Sequence, residues 1–306
     1  MEEISKALKE YPLIEDSPIN VIRESADNIV FVVGENDKKI LRISKRLATK
    51  DIAFEYEAVN YLAQNGVPVA RWLTTKTGSI CTLADDRVAV LFDFLTGYHI
   101  TVDKDHLPTR GQCYQAGIGL GLMSNAASKF TSKSPRARNI FSELERVVAL
   151  EEMFTRDFDG GTEFVAQVRE ALEFGRAQDE IIGFIHNDYR PSNVFFGEDT
   201  QVTGIIDFDW SCIGPVIKDL ALAIVEWSFP DGAKEADLTL FQAFLDGYNS
   251  ISNHKFSKDD KLYSWIKFST LSDASTYFCD LAEDSASTKR VIKSYMYQKF
   301  LFFSQF

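Results

Sequence analysis

Cysteine is scarce in this sequence of 306 residues, and the few that occur are scattered. The four cysteines form no Cys-x-x-Cys pair, so the sequence offers neither a disulfide framework nor a thiolate zinc site. This pattern favours a reducing compartment. The four positions are Cys81, Cys113, Cys212 and Cys279.

Histidine and positive charge are also in short supply. The four histidines (His99, His106, His186 and His254) include no His-x-x-x-His pair, which disfavours a metallo-phosphoesterase with its larger set of His and Asp ligands. The chain has 33 Lys and Arg against 45 Asp and Glu, a net charge of −12. This excess of acid disfavours a protein that works by neutralising nucleic-acid phosphates.

Long apolar runs and targeting signals are missing. No segment reaches the roughly 18–20 apolar residues that a spanning helix needs, and the N-terminal residues MEEISKALKEYPL lack the basic-then-apolar pattern of a signal peptide. With 45% hydrophobic and 25% charged residues the composition is that of a globular protein. We expect a soluble, cytoplasmic protein with neither nucleic acid nor membrane as its partner.

The first third of the chain is rich in strand patterns. INVIRE (19–24), IVFVV (29–33) and KKILRIS (38–44) predict three short strands separated by turns. Apolar residues at helical spacing predict a helix over 51–64, and RVAVLFDFL (87–95) predicts a further buried strand.

The rest of the chain is mostly helical in pattern. Apolar residues recur every three to four positions between about 110 and 180 and again beyond 216, around a short β-rich stretch at 184–210. The order predicts an α+β protein with a small antiparallel-sheet lobe at 1–95 and a larger helical lobe at 96–306.

The stretch FIHNDYRPSNVFF (184–196) carries the strongest chemical signal. His186, Asp188 and Asn193 stand in an H-x-D-x-x-x-x-N arrangement, and Asp207 ends a later apolar run. A carboxylate on a rigid loop can accept the proton of a hydroxyl, while an amide oxygen and a second carboxylate can bind Mg²⁺. The pattern therefore indicates phosphoryl transfer.

Each of these residues has a plainer interpretation when taken alone. An Asp between Ile and Phe is commonly a turn or capping residue, and His186 alone is commonly a structural histidine. The joint pattern, with its order and spacing intact, is much more specific than any one element.

The sequence resembles the aminoglycoside phosphotransferase-like small-molecule kinases. These enzymes share a protein-kinase-like fold and include choline kinases and homoserine-kinase-like members. The resemblance rests on HNDYRPSN (186–193), IIDFDWSCIGP (205–215) and KDLALAI (218–224). It implies that Asp188 is the catalytic residue and that Asn193 and Asp207 bind the metal. His186 and Asp219 would support the catalytic loop.

The resemblance also implies ATP and Mg²⁺ as cofactors, with the nucleotide contacted by residues of the N-terminal lobe. Arg42 stands where the family contacts the α/β-phosphates, and Glu57, with Glu55 as its competitor, is expected to pair with it. The segment that would cover the phosphates, ESADN (24–28), has no glycine. Ser25 and the neighbouring backbone amides would therefore bind the phosphates in place of a Gly-rich loop. Backbone groups of Asp93 and Leu95 are expected to bind the adenine.

The acceptor is expected to be a small molecule with a hydroxyl group. By resemblance its site would be lined by Asp209, Trp210, Glu226 and Trp227. Such an acidic, aromatic surface favours a cationic acceptor: an amino alcohol, a hydroxy amino acid such as homoserine, or an aminoglycoside. The acidic stretch 280–284 is a further candidate, for which a solvated surface is the favoured interpretation.

Two other classes compete with a small-molecule kinase. One is a catalytically silent nucleotide-binding module with a regulatory role, against which all the polar catalytic positions are filled. The other is a protein kinase, against which the sequence has Asp207-Phe208-Asp209 in place of D-F-G and no Gly-rich loop. The oligomeric state is expected to be a monomer or a homodimer.

Overall fold

The computed structural model divides the chain into two compact units, which we describe separately. The first contains residues 1–98, 129–137 and 195–209, and the second contains residues 99–128, 138–194 and 210–306. The structure describes residues 2–12, 17–24, 28–45, 49–103, 105–283, 290–292 and 294–306.

The strands and helices are numbered in chain order. The strands are β1 (Ile19–Glu24), β2 (Asn28–Val33), β3 (Lys39–Ser44), β4 (Trp72–Leu73), β5 (Thr82–Ala84), β6 (Arg87–Asp93), β7 (Phe158–Asp159), β8 (Ile182–Ile185), β9 (Val194–Phe196), β10 (Val202–Ile205), β11 (Cys212–Pro215) and β12 (Arg290–Val291). The helices are α1 (Glu2–Lys9), α2 (Thr49–Gln64), α3 (Arg110–Ala127), α4 (Ser142–Ala149), α5 (Glu151–Asp157), α6 (Gly161–Ala177), α7 (Val216–Ser228), α8 (Leu238–Ile251), α9 (Asp260–Glu283) and α10 (Tyr295–Phe303).

A six-stranded sheet forms the body of the first unit. Its strands run in the order β1-β2-β3-β6-β4, with β5 paired to β6, and all the pairs are antiparallel. Because side chains alternate along a strand, Leu41 and Ile43 of β3 join one apolar cluster with Leu8 of α1, whereas Arg42 points to the opposite face. Arg42 is thus a buried cation on the face of the sheet opposite this apolar cluster.

The strand and helix predictions for this unit are confirmed. The three N-terminal strands, the helix over 51–64 and the strand beginning at Arg87 all form within a few residues of the predicted bounds. In α2, Ile52 and Val59 are buried, as the apolar spacing requires.

Helices dominate the second unit, which also holds the catalytic-loop motif. Helices α3 and α8 pack so closely that a Cβ on Gly117 would lie 2.2 Å from the carbonyl oxygen of Phe244, and one on Gly247 would lie 2.0 Å from that of Tyr114. Glycine at both positions lets the backbones approach. Among the described residues, no helix is long and apolar enough to cross a membrane.

The small sheet and the helical part match the predicted α+β class. The division into domains 1–95 and 96–306 stays a prediction. The compact units of the structure are interleaved along the chain, because residues 129–137 and 195–209 pack with the first 98 residues.

Candidate active site

A buried ion pair joins the sheet of the first unit to helix α2. The two terminal nitrogens of Arg42 each donate to one carboxylate oxygen of Glu55, both at 2.8 Å, and both residues are almost fully buried. This fork-to-fork geometry is the strong form of an Arg–carboxylate pair. Burial raises the pKa of Glu55, and the Arg42 guanidinium opposes that rise.

A second carboxylate completes this cluster. Asp209 accepts a hydrogen bond from Arg42 on one oxygen and one from the Asn28 amide, at 2.7 Å, on the other. Asp209 is 5% exposed, so its carboxylate contacts these partners and not a ligand in solution. The prediction that Asp209 lines the acceptor site is therefore corrected, because its charge is used in holding Arg42.

Glu57 does not pair with Arg42, and the prediction that it does is wrong. Its carboxylate instead accepts hydrogen bonds from Ser132 Oγ, the Lys133 backbone N–H and Ser134 Oγ, at 2.8, 2.8 and 2.6 Å. Residues two apart on a helix point about 200° apart, so only one of the two glutamates can face Arg42. Glu55, three residues after Ile52 and four before Val59, shares their buried stripe, and this spacing was the signal available in the sequence.

The predicted adenine-binding residues lie at and just beyond the end of β6. The backbone N–H of Asp93 donates to the carbonyl of Arg71 at 2.9 Å, and the Asp93 carboxylate accepts from Arg71 Nε at 2.7 Å. The Asp93 N–H is therefore already engaged within this unit. Leu95 follows in the connecting segment, where its side chain approaches Gly204. Ser25, predicted to contact phosphate, lies outside the described residues.

In the second unit, the catalytic loop is fixed by Asp219 of α7. The Asp219 carboxylate accepts hydrogen bonds from the backbone N–H of His186, at 2.9 Å, and of Asn187, at 2.7 Å. Asn187 has a left-handed backbone with φ of 63°, which Asn tolerates better than most residues, and its side-chain oxygen accepts from Lys218. Asp219 thus holds the backbone of His186 and Asn187, and the supporting roles of Asp219 and His186 in catalysis stay predictions.

The Asp188 carboxylate lies on this braced loop with both of its oxygens engaged. One accepts from Arg190 Nε at 2.5 Å, and the other accepts from the Asn193 amide nitrogen at 2.9 Å. Burial raises the pKa of Asp188 to about 6, and the nearby Arg190 opposes the rise. A carboxylate that is oriented and partly desolvated in this way is suited to accept a proton from a hydroxyl group.

Charged side chains from three helices surround this carboxylate. Arg190 lies 3.8 Å from Glu226 of α7 and 3.7 Å from Asp273 of α9, and Lys299 of α10 is 2.7 Å from Glu226. Burial would raise the pKa of Glu226, but Lys299 and Arg190 lower it on balance. Arg190 and Asp273 keep 28% and 17% of their side-chain surface exposed, so they are the members of this group that a ligand can reach.

Three of the predicted acceptor residues are engaged elsewhere in the second unit. Trp227 is fully buried and donates its indole N–H to the carbonyl of Tyr189 at 3.1 Å, so the prediction that it lines the acceptor site is corrected. Asp280 pairs with Arg146 at 3.0 Å. Trp210 is covered on one ring face by the Arg138 guanidinium, 3.6 Å from the ring centroid.

The residues predicted to bind metal offer oxygen donors. The Asn193 amide nitrogen is used by Asp188, and the amide oxygen receives a 3.4 Å contact from the Ser192 hydroxyl. Asp207, in the first unit, has a left-handed backbone with φ of 67°, the kind of strained conformation that functional sites retain. Within the described residues no group of three or more His, Cys, Asp or Glu could hold a metal ion. Amide and carboxylate oxygens are ligand types that suit Mg²⁺, and the metal-binding roles of Asn193 and Asp207 stay predictions.

Sequence reasoning missed three charged residues near Asp188. Arg190 stands inside the catalytic motif, two residues after Asp188, so its position was a usable signal. Asp273 and Lys299 lie 85 and 111 residues further along than Asp188, on helices whose packing brings them together. No local pattern distinguishes them from surface charges.

Comparison with solved structures gives the fold. The chain is similar to the amicoumacin kinase hAmiN in complex with AMP-PNP, Ca²⁺ and Ami, with a TM-score of 0.73, 18% identity and coverage of 99% of this chain and 91% of that one. It is also similar to a microcompartment-associated aminopropanol kinase, with a TM-score of 0.66, 17% identity and coverage of 99% and 96%. The predicted protein-kinase-like fold is confirmed.

Comparison of sequences gives the family. The chain is 26% identical over 257 residues to the homoserine kinase of Caulobacter vibrioides (strain NA1000 / CB15N), covering 81% of this chain and 77% of that protein. The model of the phosphotransferase enzyme family (APH) matches residues 18–253, more than two thirds of the sequence. The chain therefore belongs to the phosphotransferase enzyme family.

Proposed function

We propose that this protein is an ATP- and Mg²⁺-dependent kinase that phosphorylates a hydroxyl group of a small molecule. The observation that carries the proposal is the Asp188 carboxylate, held by Arg190 and Asn193 on a loop that Asp219 braces. Family membership and the homoserine kinases among its relatives support the same reaction class.

In this mechanism Asp188 receives the acceptor hydroxyl. The acceptor donates its hydroxyl hydrogen bond to the carboxylate and passes its proton there as the phosphoryl group is transferred. Arg190 and Asn193 fix the direction of the carboxylate, so the proton-accepting oxygen does not have to reorganise during the reaction.

We assign the contacts with the nucleotide and its metal ion to the following residues. Arg42, fixed by Glu55 and Asp209, would contact the α/β-phosphates. The Asp93 carbonyl and the Leu95 N–H would contact the adenine. Asn193 and Asp207 would hold Mg²⁺, which neutralises charge on the phosphates when it is bound.

The charges near Asp188 favour an acceptor that carries both signs. Arg190 can bind a carboxylate, and Asp273 can bind an ammonium group; both are partly exposed. A hydroxy amino acid satisfies both, and homoserine is our first candidate because the matched relatives are homoserine kinases. An amino alcohol is the second candidate, since Asp273 could hold an ammonium group without a carboxylate on Arg190.

Two alternatives from the sequence are not favoured. A catalytically silent regulatory module has no support from the relatives, which are kinases. A protein kinase would need the D-F-G and Gly-rich features that the sequence lacks. A cytoplasmic location and a monomeric or homodimeric state stay predictions.

The deciding experiment is an acceptor screen that follows ADP release. It should include L-homoserine, 1-amino-2-propanol, choline and an aminoglycoside. Each acceptor is tested with the native protein and, as the control, with Asp188→Asn. We expect saturable, Mg²⁺-dependent turnover with L-homoserine that Asp188→Asn lacks. Turnover with choline or the aminoglycoside in its place would overturn the amino acid assignment, and failure to bind Mg·ATP would overturn the kinase assignment.

A further inference from the structure

Segment 129–137, which follows helix α3, belongs to the same compact unit as the sheet and α2. Its residues Ser132, Lys133 and Ser134 donate the three hydrogen bonds that the Glu57 carboxylate accepts. The pKa of Glu57 is lowered because these hydrogen bonds outweigh the opposing effect of burial. Three donors converging on one carboxylate fix this part of the segment to the helix.

Arg136 makes a second attachment near the start of α2. Its side chain is 4% exposed, donates to the main-chain carbonyl of Asp51 at 3.4 Å and lies 3.8 Å from the Asp51 carboxylate. Its guanidinium is 5.5 Å from the centroid of the Phe54 ring and also donates to the main-chain carbonyl of Asp209. One side chain thus joins α2 to the turn that follows Asp207.

Phe130 makes the third attachment. Its ring centroid is 6.0 Å from that of Phe54 and 5.3 Å from that of Tyr61. Together the three attachments contact α2 at positions 51, 54, 57 and 61, a spacing of three and four residues that follows one side of a helix. The segment therefore lies along about three turns of α2.

The charges explain why this arrangement matters for Arg42. Glu55 and Asp209 are two buried carboxylates, and Arg42 is a single guanidinium that serves both. Arg136 is the second cation of this group and acts to lower the pKa of Glu55, against the effect of burial. Arg136 therefore adds a second positive charge beside the two buried carboxylates, which lowers the cost of burying them.

We propose that segment 129–137 is a strap that holds helix α2, and with it the Glu55–Arg42 pair, in the position that binds the nucleotide. Arg136 and Glu57 are its positioning residues. This inference rests on the proposed function in one respect, since it takes Arg42 as a contact of the nucleotide phosphates. Neither positioning residue needs to touch the nucleotide.

The first test replaces Arg136. Arg136→Gln removes the second positive charge, Arg136→Lys restores it without the planar fork, and Arg156→Gln, at an exposed ion pair with Asp157, is the matched control. We expect the Kd of Mg·ATP, measured by calorimetry, to rise about tenfold in Arg136→Gln and to recover in part in Arg136→Lys. The KM of the acceptor should stay within about twofold of native, and the control should leave both values unchanged.

The second test loosens the other attachment. Glu57→Ala and the double variant Ser132→Ala/Ser134→Ala remove the hydrogen bonds while leaving Arg136 in place, and Glu57→Gln keeps the shape of the side chain. We expect the Kd of Mg·ATP to rise by about threefold to fivefold in the first two variants. Circular dichroism and the melting temperature verify that each variant is folded. If Arg136→Gln does not fold, the Glu57 variants alone test the proposal.

Two results would overturn the proposal that segment 129–137 holds helix α2 in place. The first is a Kd for Mg·ATP within about twofold of native in folded Arg136→Gln and Glu57→Ala. The second is an equal rise in the Kd of Mg·ATP and the KM of the acceptor, which would indicate general loosening. A native protein that does not bind Mg·ATP would remove the proposed function as well, so the two failures are distinguishable.

Discussion

Arg42 and Glu55 meet through two parallel hydrogen bonds of 2.8 Å, from both terminal nitrogens of the guanidinium to both oxygens of the carboxylate. The pair joins strand β3 to helix α2 inside the protein. Because Arg42 also donates to the Asp209 carboxylate, its guanidinium is oriented before any nucleotide arrives.

The pair should control nucleotide affinity. Glu55→Gln keeps the shape of the side chain but leaves Arg42 with one fewer charge partner, and breaking a buried pair costs about 3–5 kcal/mol when one partner is removed outright. We expect a higher Kd for Mg·ATP and a lower melting temperature. Glu145→Gln, at an exposed pair with Arg176, is the control and should change neither. An unchanged Kd in Glu55→Gln would separate Arg42 from nucleotide binding.

Asp188 should be needed for turnover and not for nucleotide affinity. Asp188→Asn retains a side chain that can meet Arg190 and Asn193, but it removes the oxygen that accepts the proton. We expect kcat to fall by at least about 10²-fold, with the Kd of Mg·ATP within a few-fold of native. The rate of ADP release gives kcat, and calorimetry gives the Kd of Mg·ATP. Substantial turnover by Asp188→Asn would remove Asp188 from the mechanism.

Asp207 should be needed for metal-dependent nucleotide binding. Asp207→Ala removes the carboxylate assigned to Mg²⁺, so we expect both activity and the Mg²⁺-dependent part of ATP affinity to disappear together. Titration of Mg²⁺ against the variant at fixed ATP should show no saturation. Asp199→Ala, in the loop before β10, is the control. If the variant kept the native Mg²⁺ dependence, the metal would have to bind elsewhere.

The acceptor should be sensitive to Arg190 and Asp273. A charge pair at about 4 Å is worth about 4 kcal/mol at the effective dielectric of a protein surface, so loss of a real contact costs tenfold or more in affinity. We expect Asp273→Asn and Arg190→Gln to raise the KM of L-homoserine far more than that of ATP. Glu226→Gln should mainly lower the melting temperature, because Glu226 is buried against Lys299.

Asp280→Asn is the matched control for this series, since Asp280 pairs with Arg146 on another part of the unit. Its KM values should stay native. Equal, small effects of Asp273→Asn and Asp280→Asn would contradict an acceptor that carries an ammonium group and would favour a sugar or a simple alcohol.

The contact between α3 and α8 should limit stability. Gly247→Ala would bring a Cβ to 2.0 Å from the Tyr114 carbonyl oxygen, so the backbones must separate. We expect a loss of about 1–3 kcal/mol in the free energy of unfolding, measured by urea titration. Gly111→Ala, where the nearest atom to a Cβ is the Thr109 hydroxyl at 3.9 Å, is the control and should be neutral or slightly stabilising. Equal stability of both variants would show that α8 can shift freely.

The sequence by itself determined the local features of this protein. Strands β1 to β3 follow from short β-prone, apolar or alternating segments between turns, and helix α2 follows from Ile52 and Val59 at helical spacing, because these patterns depend on neighbours within a few residues. The order of His186, Asp188, Asn193 and Asp207 indicated phosphoryl transfer for the same reason, since these residues stand at fixed spacings along the chain.

Only the tertiary structure decided which charges meet. The apolar spacing placed Glu55 on the buried stripe of α2, but only the packing of that helix decided that Glu55 meets Arg42 while Glu57 meets Ser134. The tertiary structure also brought Lys299 to Glu226 and buried Trp227 beneath the catalytic loop. Contacts between residues tens of positions apart depend on how helices pack, and a buried charge is stable only where that packing supplies its partner.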